Sequence, residues 1–326
     1  MIPIPPAPLS PDRTMTHIIA TTNMKGGVGK TTLSVNLATC LVKFFQKKVL
    51  VVDLDTQINA TLSLMPPQTF VTYRKERRTL KYLFEQAIQP SGQKTISTSD
   101  VICPYVCTVK GLDLLPGDLD LYDDYAVSAV LHEQAEMLGV SDFEKTWNHF
   151  ESQLVSGILK PVLPDYDFVI LDCAPGYNLL TRSSLAASHF YLLPAKPEPL
   201  SVAGIQLLER RIAKLRESHQ GDDVIQTQML GIVFSMAGGL LPSRYYNQVM
   251  QRVRQDFSEA QIFKTQIPND INVSKAVDSF QPVVLTQPTS AGAKAFMKLT
   301  QEMLYKLQVA LGSKEQKSRM SLSELD

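Results

Sequence analysis

The chain has 326 residues, of which 44% are hydrophobic and 20% are charged, as is usual for a globular protein with a sizeable core. Its 32 basic and 32 acidic residues cancel, so the overall charge does not indicate a nucleic-acid partner and any basic surface has to be local. Four scattered cysteines exclude a disulfide framework, and no apolar run reaches the roughly 18 residues that span a bilayer. We therefore expect a cytoplasmic globular protein.

The beginning of the chain changes character after residue 14. Residues 1–14 contain five prolines and no periodic apolar pattern, which predicts a flexible leader, and they lack the basic and apolar regions of a secretory signal. Residues 17–22 then form a short apolar run, and residues 32–45 place apolar side chains at helical spacing. With the β-branched run at 48–53, this order predicts strand, loop, helix and strand, which is a βαβ unit.

Strand and helix patterns alternate along the rest of the chain. Further strands are predicted at residues 112–116, 168–172, 189–194, 229–235, 262–267 and 282–286. Helices are predicted at residues 125–139, 143–160, 202–218, 243–257 and 291–311. This alternation predicts an α/β fold with a single doubly wound, mostly parallel sheet and helices on both faces. No linker interrupts the pattern, so we expect one domain over residues 15–311, followed by a polar tail over residues 312–326.

The loop between the first strand and the first helix is rich in glycine and carries two lysines. It reads Asn23-Met24-Lys25-Gly26-Gly27-Val28-Gly29-Lys30-Thr31-Thr32. A standard phosphate-binding loop begins with glycine, and here Met24 occupies that position. The remaining glycines still allow backbone N–H groups to surround phosphate oxygens at the start of the helix. Lys30 is predicted to bind the β- and γ-phosphates of ATP and the Thr31 hydroxyl to bind Mg²⁺.

Carboxylates follow two of the predicted strands, at the sheet edge where open α/β sheets bind ligands. Asp53 and Asp55 end the strand at 48–53. The apolar run 168–171 ends in Asp172, which is the pattern of a Walker B strand, so we expect Asp172 to bind Mg²⁺ through water. An aspartate at a strand end is also common as a helix cap, and this alternative applies most to Asp53.

The loop resembles that of the ParA/MinD family of deviant Walker ATPases, which reads Lys-Gly-Gly-x-Gly-Lys-Thr-Thr. The resemblance extends over residues 16–311 and is closer to the ParA branch. It implies that Lys25 reaches the nucleotide of a second subunit in an ATP-sandwich homodimer, a role similar to that of an arginine finger. The nucleotide-binding residues are then expected to be Lys25, Gly26, Gly27, Val28, Gly29, Lys30, Thr31 and Thr32.

The resemblance also assigns roles outside the loop. Residues 53–57 resemble the Asp-x-Asp-Pro-Gln segment of the family, with Thr56 replacing proline. This implies that Asp55 positions or activates the attacking water and that Asp53 lies near Mg²⁺, so the expected metal-site residues are Thr31, Asp53 and Asp172. Residues 174–176 resemble the second switch of the family. Residues 263–270 resemble the segment near the adenine, where the expected contacts are Pro268 and Asn269.

Three helical regions carry clustered positive charge, and the last of them includes Lys275, Lys294, Lys298 and Lys306. Arg210, Arg211 and Lys214 lie close together on the helix at 202–218, and Arg244 and Arg252 occur in the next one. In ParA-type proteins a basic surface of this region binds DNA without sequence preference, which requires charge and no base-reading side chains. The alternative is that these residues form ordinary solvated helix faces.

The resemblance implies an ATPase that dimerises with ATP, binds nonspecific DNA and segregates a plasmid or chromosome partition complex. A small ParB-like adaptor would stimulate it, and the protein would be nucleoid-associated in the cytoplasm. The alternative is a McdA-like protein that positions an organelle such as the carboxysome with a McdB-like adaptor. A MinD-like membrane-associated regulator is disfavoured, because residues 312–326 lack Phe, Trp and a sustained apolar face. An iron–sulfur carrier would need cysteines in a different setting from Cys103, Cys107 and Cys173.

Overall fold

A computed structural model of the chain describes residues 15–323, apart from 90–94, 138, 140–142, 220, 222–223 and 238–242. The leader predicted at residues 1–14 lies outside the described residues. The strands are β1 (His17–Thr21), β2 (Val49–Leu54), β3 (Leu112–Leu115), β4 (Phe168–Cys173), β5 (Phe190–Ala195), β6 (Gln228–Ala237) and β7 (Ile267–Pro268).

The helices are longest where the sequence shows apolar residues at helical spacing. They are α1 (Lys30–Phe45), α2 (Asn59–Leu64), α3 (Pro67–Lys75), α4 (Leu80–Ile88), α5 (Thr98–Val101), α6 (Asp124–Met137), α7 (Phe143–Leu159), α8 (Leu179–Ala187), α9 (Pro199–Ser218), α10 (Ser243–Asp256), α11 (Ile271–Asp278), α12 (Val283–Thr286) and α13 (Ala291–Ser323). Short 3₁₀ turns occur at Val106–Thr108, Leu163–Asp165 and Glu259–Gln261.

The seven strands form a parallel sheet in the order β3-β2-β4-β1-β5-β6-β7. The predicted doubly wound α/β sheet is therefore confirmed. The chain moves from β1 to β2 on one side of the sheet, and β5, β6 and β7 are added on the other side. The order reverses next to β1, and in such sheets the ligand crevice lies at the carboxyl ends of the strands at this switch point.

The core lies on both faces of the sheet, because the central strands are buried from end to end. Val51 and its same-face neighbours pack with α1 and α13, including Phe296. Val52 faces the other way and packs with α7, α8 and α9, including Leu185 and Ile205. Runs that are apolar on both faces are typical of parallel strands covered by helices on both sides.

Several element boundaries differ from the predictions. The strand predicted at residues 282–286 is wrong, because this run forms α12, with Val283 and Val284 buried in the core. A four-residue apolar run does not distinguish a strand from a buried helical turn. The strand predicted at 262–267 is reduced to β7 and a single bridge between Ile262 and Ile232.

The last helix is longer than predicted. The helix end predicted at residue 311 is wrong, because α13 continues to Ser323 through much of the segment that we expected to be a polar tail. Gly312 disfavours a helix by only about 1 kcal/mol, and the residues after it are mostly helix-forming. None of the helices in the described part of the chain has the length and apolar character needed to span a bilayer.

Candidate functional site

The phosphate loop between β1 and α1 is held by hydrogen bonds to β5 and β6. The Asn23 amide donates to Pro194 O on β5 (2.8 Å) and accepts from Lys25 N (2.9 Å). The Ser235 hydroxyl on β6 donates to Val28 O (2.6 Å). These bonds hold both ends of the loop before any ligand contacts it. Neither Asn23 nor Ser235 was predicted, because each acts on a residue that is remote in sequence or outside the known motif.

At two positions of the loop, glycine is favoured by the backbone conformation and not by a lack of room for a side chain. Gly27 and Gly29 have φ values of +69° and +89°, a left-handed conformation that residues with a side chain rarely adopt. A Cβ atom at Gly27 would meet no atom within 4 Å. The conformation turns the loop into the first turn of α1, whose N-terminus is the favourable end for an anion.

Lys30 lies inside the loop. Its side chain is buried, and Nζ donates to Lys25 O (3.2 Å). Burial lowers the pKa of Lys30, while the nearby Asp172 and Asp55 carboxylates oppose this shift. A buried ammonium beside the loop amides could bind phosphate oxygens with little solvent competition.

Asp172 is fixed by the first turn of α1. Its carboxylate accepts from Thr31 Oγ1 (2.7 Å) and from Ser34 Oγ (2.8 Å), and the residue is almost fully buried. Burial raises the pKa of Asp172, and the two hydroxyl donors oppose this shift. Ser34 was not predicted, although its position three residues after Thr31 places both hydroxyls on one face of α1.

Asp53 lies beside Asp172, since the two residues are paired in register across β2 and β4. Its carboxylate accepts from Thr61 N (2.7 Å) and from Asp55 N (3.2 Å), so it also orders the loop after β2. Burial, followed by the charge of Asp172, raises the pKa of Asp53. Gly117 packs against it so closely that a Cβ atom there would lie 2.9 Å from Asp53 O.

Asp55 begins a tight turn that forms without the family's proline. Its carboxylate accepts from Gln57 N (3.0 Å), and its backbone carbonyl accepts from Ile58 N (2.9 Å). Asp55 is buried, whereas Thr56 and Gln57 are exposed. The aspartate side chain therefore closes the turn in which Thr56 replaces proline.

These residues match the donors that Mg²⁺ prefers. The Thr31 hydroxyl and the carboxylates of Asp172 and Asp53 offer hard oxygen ligands at one sheet edge. A divalent cation there would offset the proximity of two buried carboxylates. Among the described residues, no cluster of three or more His, Cys, Asp or Glu side chains could hold a metal ion. Mg²⁺ is usually held by one or two carboxylates together with substrate phosphates.

Lys25 forms an ion pair with a residue outside the phosphate loop. Its Nζ forms an ion pair with Glu198 Oε2 at 2.7 Å, and the two side chains are 38% and 40% exposed. Glu198 is the residue that precedes α9. The hydrogen bond from Lys25 lowers the pKa of Glu198. The two lysines of one loop thus have opposite environments, and Glu198 is a contact that the sequence did not predict.

The predicted adenine contacts lie at the same sheet edge. Ile267 of β7 is in register with Ser235, the residue that bonds to the phosphate loop, and Pro268 follows it. Pro268 is half-buried and Asn269 is exposed. Contact with a nucleotide base remains a prediction for both residues.

The predicted DNA-binding residues have different environments. Arg210 and Lys214 of α9 and Arg252 of α10 are exposed, whereas Arg211 is half-buried with its guanidinium 5.3 Å from the ring centre of Tyr177. Arg244 also belongs to α10, but its side chain lies outside the described residues. A hydrogen bond from Gln206 to Asp256 (2.8 Å) joins α9 to α10. The structure therefore brings the two basic helices together.

The cysteines are free thiols in protected positions. Cys173 is buried and Cys107 is half-buried, and burial raises the pKa of each to about 12. Burial also raises the pKa of Cys103. A raised pKa makes a thiol a weaker nucleophile and a weaker metal ligand at neutral pH.

Comparison with known proteins assigns this chain to a family. The profile of a family described as an AAA domain matches residues 16–225, which is more than half of the chain. The sporulation initiation inhibitor protein Soj of Bacillus subtilis is 29% identical over 289 residues, which cover 89% of this chain and 98% of Soj. The chromosome partitioning protein ParA of Caulobacter vibrioides is 28% identical over 290 residues, which cover 88% of this chain and 94% of ParA.

A solved structure extends the comparison to the fold. Apo McdA from Cyanothece superposes with a TM-score of 0.65 at 17% identity, covering 89% of this chain and 99% of McdA. At 17% identity, this similarity shows a shared fold and nothing further. Together with the family match over residues 16–225 and the phosphate loop, these comparisons establish that the chain belongs to the ParA/MinD family of partition ATPases.

Proposed function

We propose that this protein hydrolyses ATP as a homodimer, binds nonspecific DNA in its ATP state and segregates a plasmid or chromosome partition complex. The observation that carries the proposal is the contrast between the two lysines of the phosphate loop. Lys30 is buried within the loop, whereas Lys25 is partly exposed and extends outward to Glu198. A lysine that leaves its own loop is available to a nucleotide bound by a second subunit.

Within one subunit, the buried residues would bind and orient the substrate. Lys30 and the loop amides would hold the phosphates, and Thr31 and Asp172 would hold Mg²⁺, with Asp53 ordering the loop beside them. Bound Mg²⁺ supplies positive charge to the β- and γ-phosphate oxygens. Asp55 would orient the attacking water from its buried position, and Pro268 and Asn269 would contact the base.

Lys25 would complete the site across the dimer. A cation placed at the transferring phosphoryl group stabilises the charge of the transition state, which is typically worth about 10³–10⁵ in rate. Because Lys25 comes from the other subunit in this proposal, hydrolysis requires dimerisation. The site in one subunit would bind ATP but hydrolyse it slowly.

DNA binding would use the exposed cations of α9 and α10. Arg210, Lys214 and Arg252 are exposed, and Arg211 and Arg244 are the remaining candidates. Exposed arginines and lysines neutralise phosphates without reading bases, which gives affinity without sequence preference. The zero net charge of the whole chain is compatible with this proposal, because a local cluster suffices.

The cargo in this proposal is a partition complex, delivered by a small ParB-like adaptor. The relatives Soj and ParA support this choice, because they match in sequence over most of their length. Positioning of a protein organelle with a McdB-like adaptor is the weaker candidate, since McdA is similar in fold alone. As further parts of the proposal, the ATPase domain comprises residues 15–311. The protein would be located at the nucleoid.

The test is the binding of the full-length protein to random-sequence duplex DNA at several salt concentrations, with ATP or ADP. We expect at least tenfold tighter binding with ATP and an affinity that falls steeply with salt, as for phosphate contacts. Lys110→Ala, at an exposed lysine before β3 on the far edge of the sheet, is the control and should bind like the natural protein. Equal affinity with ADP and ATP would contradict the proposal.

A further inference from the structure

One tyrosine connects the loop after β4 to the basic segment of α9. Tyr177 lies five residues after Asp172, directly behind the segment 174–176 that resembles a switch. Its hydroxyl donates to the backbone carbonyl of Arg211 at 2.9 Å. The residue is half-buried, and this bond joins positions 34 residues apart. The contact therefore crosses from the nucleotide edge of the sheet to the helix that carries the exposed cations.

The ring of Tyr177 also holds the side chain of Arg211. The guanidinium of Arg211 lies 5.3 Å from the ring centre, and that of Arg182 lies 5.9 Å from it. Both distances are within the range of cation–π attraction. Arg211 is thus held twice by one residue, at its carbonyl by the hydroxyl and at its side chain by the ring. Its neighbours Arg210 and Lys214 are exposed by contrast.

The Arg182 side of the ring is anchored in the protein core. Arg182 pairs with Glu151 of α7, whose side chain is fully buried. Glu151 also accepts from Trp147 Nε1 (3.0 Å). Burial raises the pKa of Glu151, and the charge of Arg182 opposes this shift. Because loss of Arg182 would leave the buried Glu151 carboxylate without this partner, we infer that this side of Tyr177 is a fixed support.

The backbone on the two sides of Tyr177 makes different contacts. Asn178 caps α8 by accepting from Thr181 N (2.9 Å), which fixes the chain after Tyr177. Gly176, before it, has a φ of +100° and no atom within 4 Å of a Cβ position. The segment 174–176 therefore connects directly to Tyr177, and α8 begins only after the Asn178 cap.

We propose that Tyr177 is a positioning residue that transmits the arrangement of the loop after Asp172 to Arg211 on α9. When this loop responds to ATP, the hydroxyl and ring of Tyr177 place Arg211 beside Arg210 and Lys214 for contact with DNA phosphates. This inference rests on the proposed ATP-dependent DNA binding. It names the residue that would connect the nucleotide site to the DNA-binding helix.

The test compares three tyrosine variants of the full-length protein. Tyr177→Phe keeps the ring and loses the hydroxyl bond, and Tyr177→Leu loses both contacts. Tyr191→Phe is the matched control, because the Tyr191 hydroxyl donates to Glu209 on the same helix (2.8 Å) but belongs to β5. Each variant is measured for binding of a fluorescent ATP analogue and for binding of random duplex DNA with ATP and with ADP.

We expect ATP-analogue binding within twofold of the natural protein in all three variants. The ratio of DNA affinities with ATP and ADP should fall at least threefold in Tyr177→Phe, further in Tyr177→Leu, and remain unchanged in Tyr191→Phe. In Tyr177→Leu the salt dependence in the ATP state should also correspond to about one phosphate contact fewer. Trp147 is the only tryptophan, so its unchanged emission would verify that the Glu151 support remains intact.

Three results would overturn the inference. One is an unchanged ATP-to-ADP ratio in both Tyr177 variants. Another is an equal loss in Tyr191→Phe, which would indicate a general weakening of α9. The third is tighter DNA binding of Tyr177→Phe in both nucleotide states, which would mean that Tyr177 only withholds Arg211. If the natural protein itself shows no difference between ATP and ADP, the proposed function fails, and this inference fails with it.

Discussion

The phosphate loop and the basic face of α9 both present positive charge, and they hold it in different ways. Lys30 is only 7% exposed, bonds to a loop carbonyl and lies near two buried carboxylates. Arg210 and Lys214 are exposed on a helix surface. A buried cation in a fixed frame can recognise one ligand in one orientation, because its position is set before binding. Exposed cations act through their number and are sensitive to salt.

The comparison separates two kinds of specificity. At the loop, Asn23, Ser34 and Ser235 have no charge but determine where charged groups lie. On α9, Arg211 is held by Tyr177, whereas the side chains of Arg210 and Lys214 are exposed. Substitutions should therefore have large, local effects at the loop and small, additive effects on the basic face.

The largest effect is expected for Lys25→Ala. ATP hydrolysis should fall by about 10³-fold, because the transition state loses a cation from the second subunit. Binding of a fluorescent ATP analogue should change less than twofold, since Lys30 and the loop amides remain. Phosphate release at saturating ATP measures the first quantity, and Lys196→Ala, at a nearby lysine, is the control. Normal turnover in Lys25→Ala would refute the dimeric site.

The second largest effect is expected for Gly117→Ala. Its Cβ atom would lie 2.9 Å from Asp53 O, which is a backbone atom that cannot move without displacing Asp53. Overpacking of this kind typically destabilises by about 1–3 kcal/mol, and urea unfolding would measure it. The control is Gly157→Ala in α7, where a Cβ atom meets nothing within 4 Å and alanine favours the helix. Equal stability of the two variants would mean that the Asp53 edge is less rigid than inferred.

A smaller effect is expected for the double variant Arg210→Ala/Lys214→Ala. Affinity for random duplex DNA in the ATP state should fall roughly tenfold at moderate salt. The slope of log affinity against log salt should decrease by about 2, or 0.9 for each lost phosphate contact. Unstimulated ATP hydrolysis should not change, because the proposal gives neither residue a role in binding or hydrolysing ATP. If the slope is unaffected, Arg210 and Lys214 belong to a solvated helix face and do not contact DNA.

The smallest effect is expected for Glu198→Gln. An exposed ion pair contributes at most about 1 kcal/mol, so the free energy of unfolding should barely change. ATP turnover should rise roughly two- to fivefold, or about 0.4–1 kcal/mol in activation free energy, because Lys25 is released from its partner. Phosphate release measures this change, and reduced turnover would mean that Glu198 assists Lys25.

The ion pair between Lys25 and Glu198 should depend on pH. Because the hydrogen bond from Lys25 lowers the pKa of Glu198, the ion pair persists at ordinary pH and is lost as pH falls through that lowered value. The pair therefore stabilises the folded chain above the ordinary glutamate pKa and not below the lowered one. Glu198→Gln should remove this dependence. A turnover ratio of variant to natural protein that is independent of pH would contradict the assignment.

The sequence predicted best what depends on local pattern. The bounds of β1, β2, β4, β5 and β6 agree with the predictions within two residues, because long apolar, β-branched runs identify buried parallel strands. Short helices such as α2, α3, α4 and α8 were not predicted, since each has nine residues or fewer and mixes polar with apolar positions. Their helical state is decided by packing.

The candidate site divides in the same way. The residues of the loop and the carboxylates were identifiable by type and spacing. Asn23, Ser235 and Glu198 were not, because their partners lie 171, 207 and 173 residues away in sequence and meet them only in the folded sheet. The roles assigned to Asp53, Asp55 and Asn269 remain predictions.

The segment from Pro194 to Glu198 joins two points at which the phosphate loop is attached. Asn23 attaches the phosphate loop at Pro194, and Lys25 attaches it again at Glu198, where α9 begins. The four residue steps from Pro194 to Glu198 span at most about 14 Å, so this segment can absorb little displacement of the loop before α9. Inserting two glycines between these attachment points would add slack while leaving every charged side chain in place. The length of this segment, as well as its charge, thus contributes to the coupling between the phosphate loop and α9.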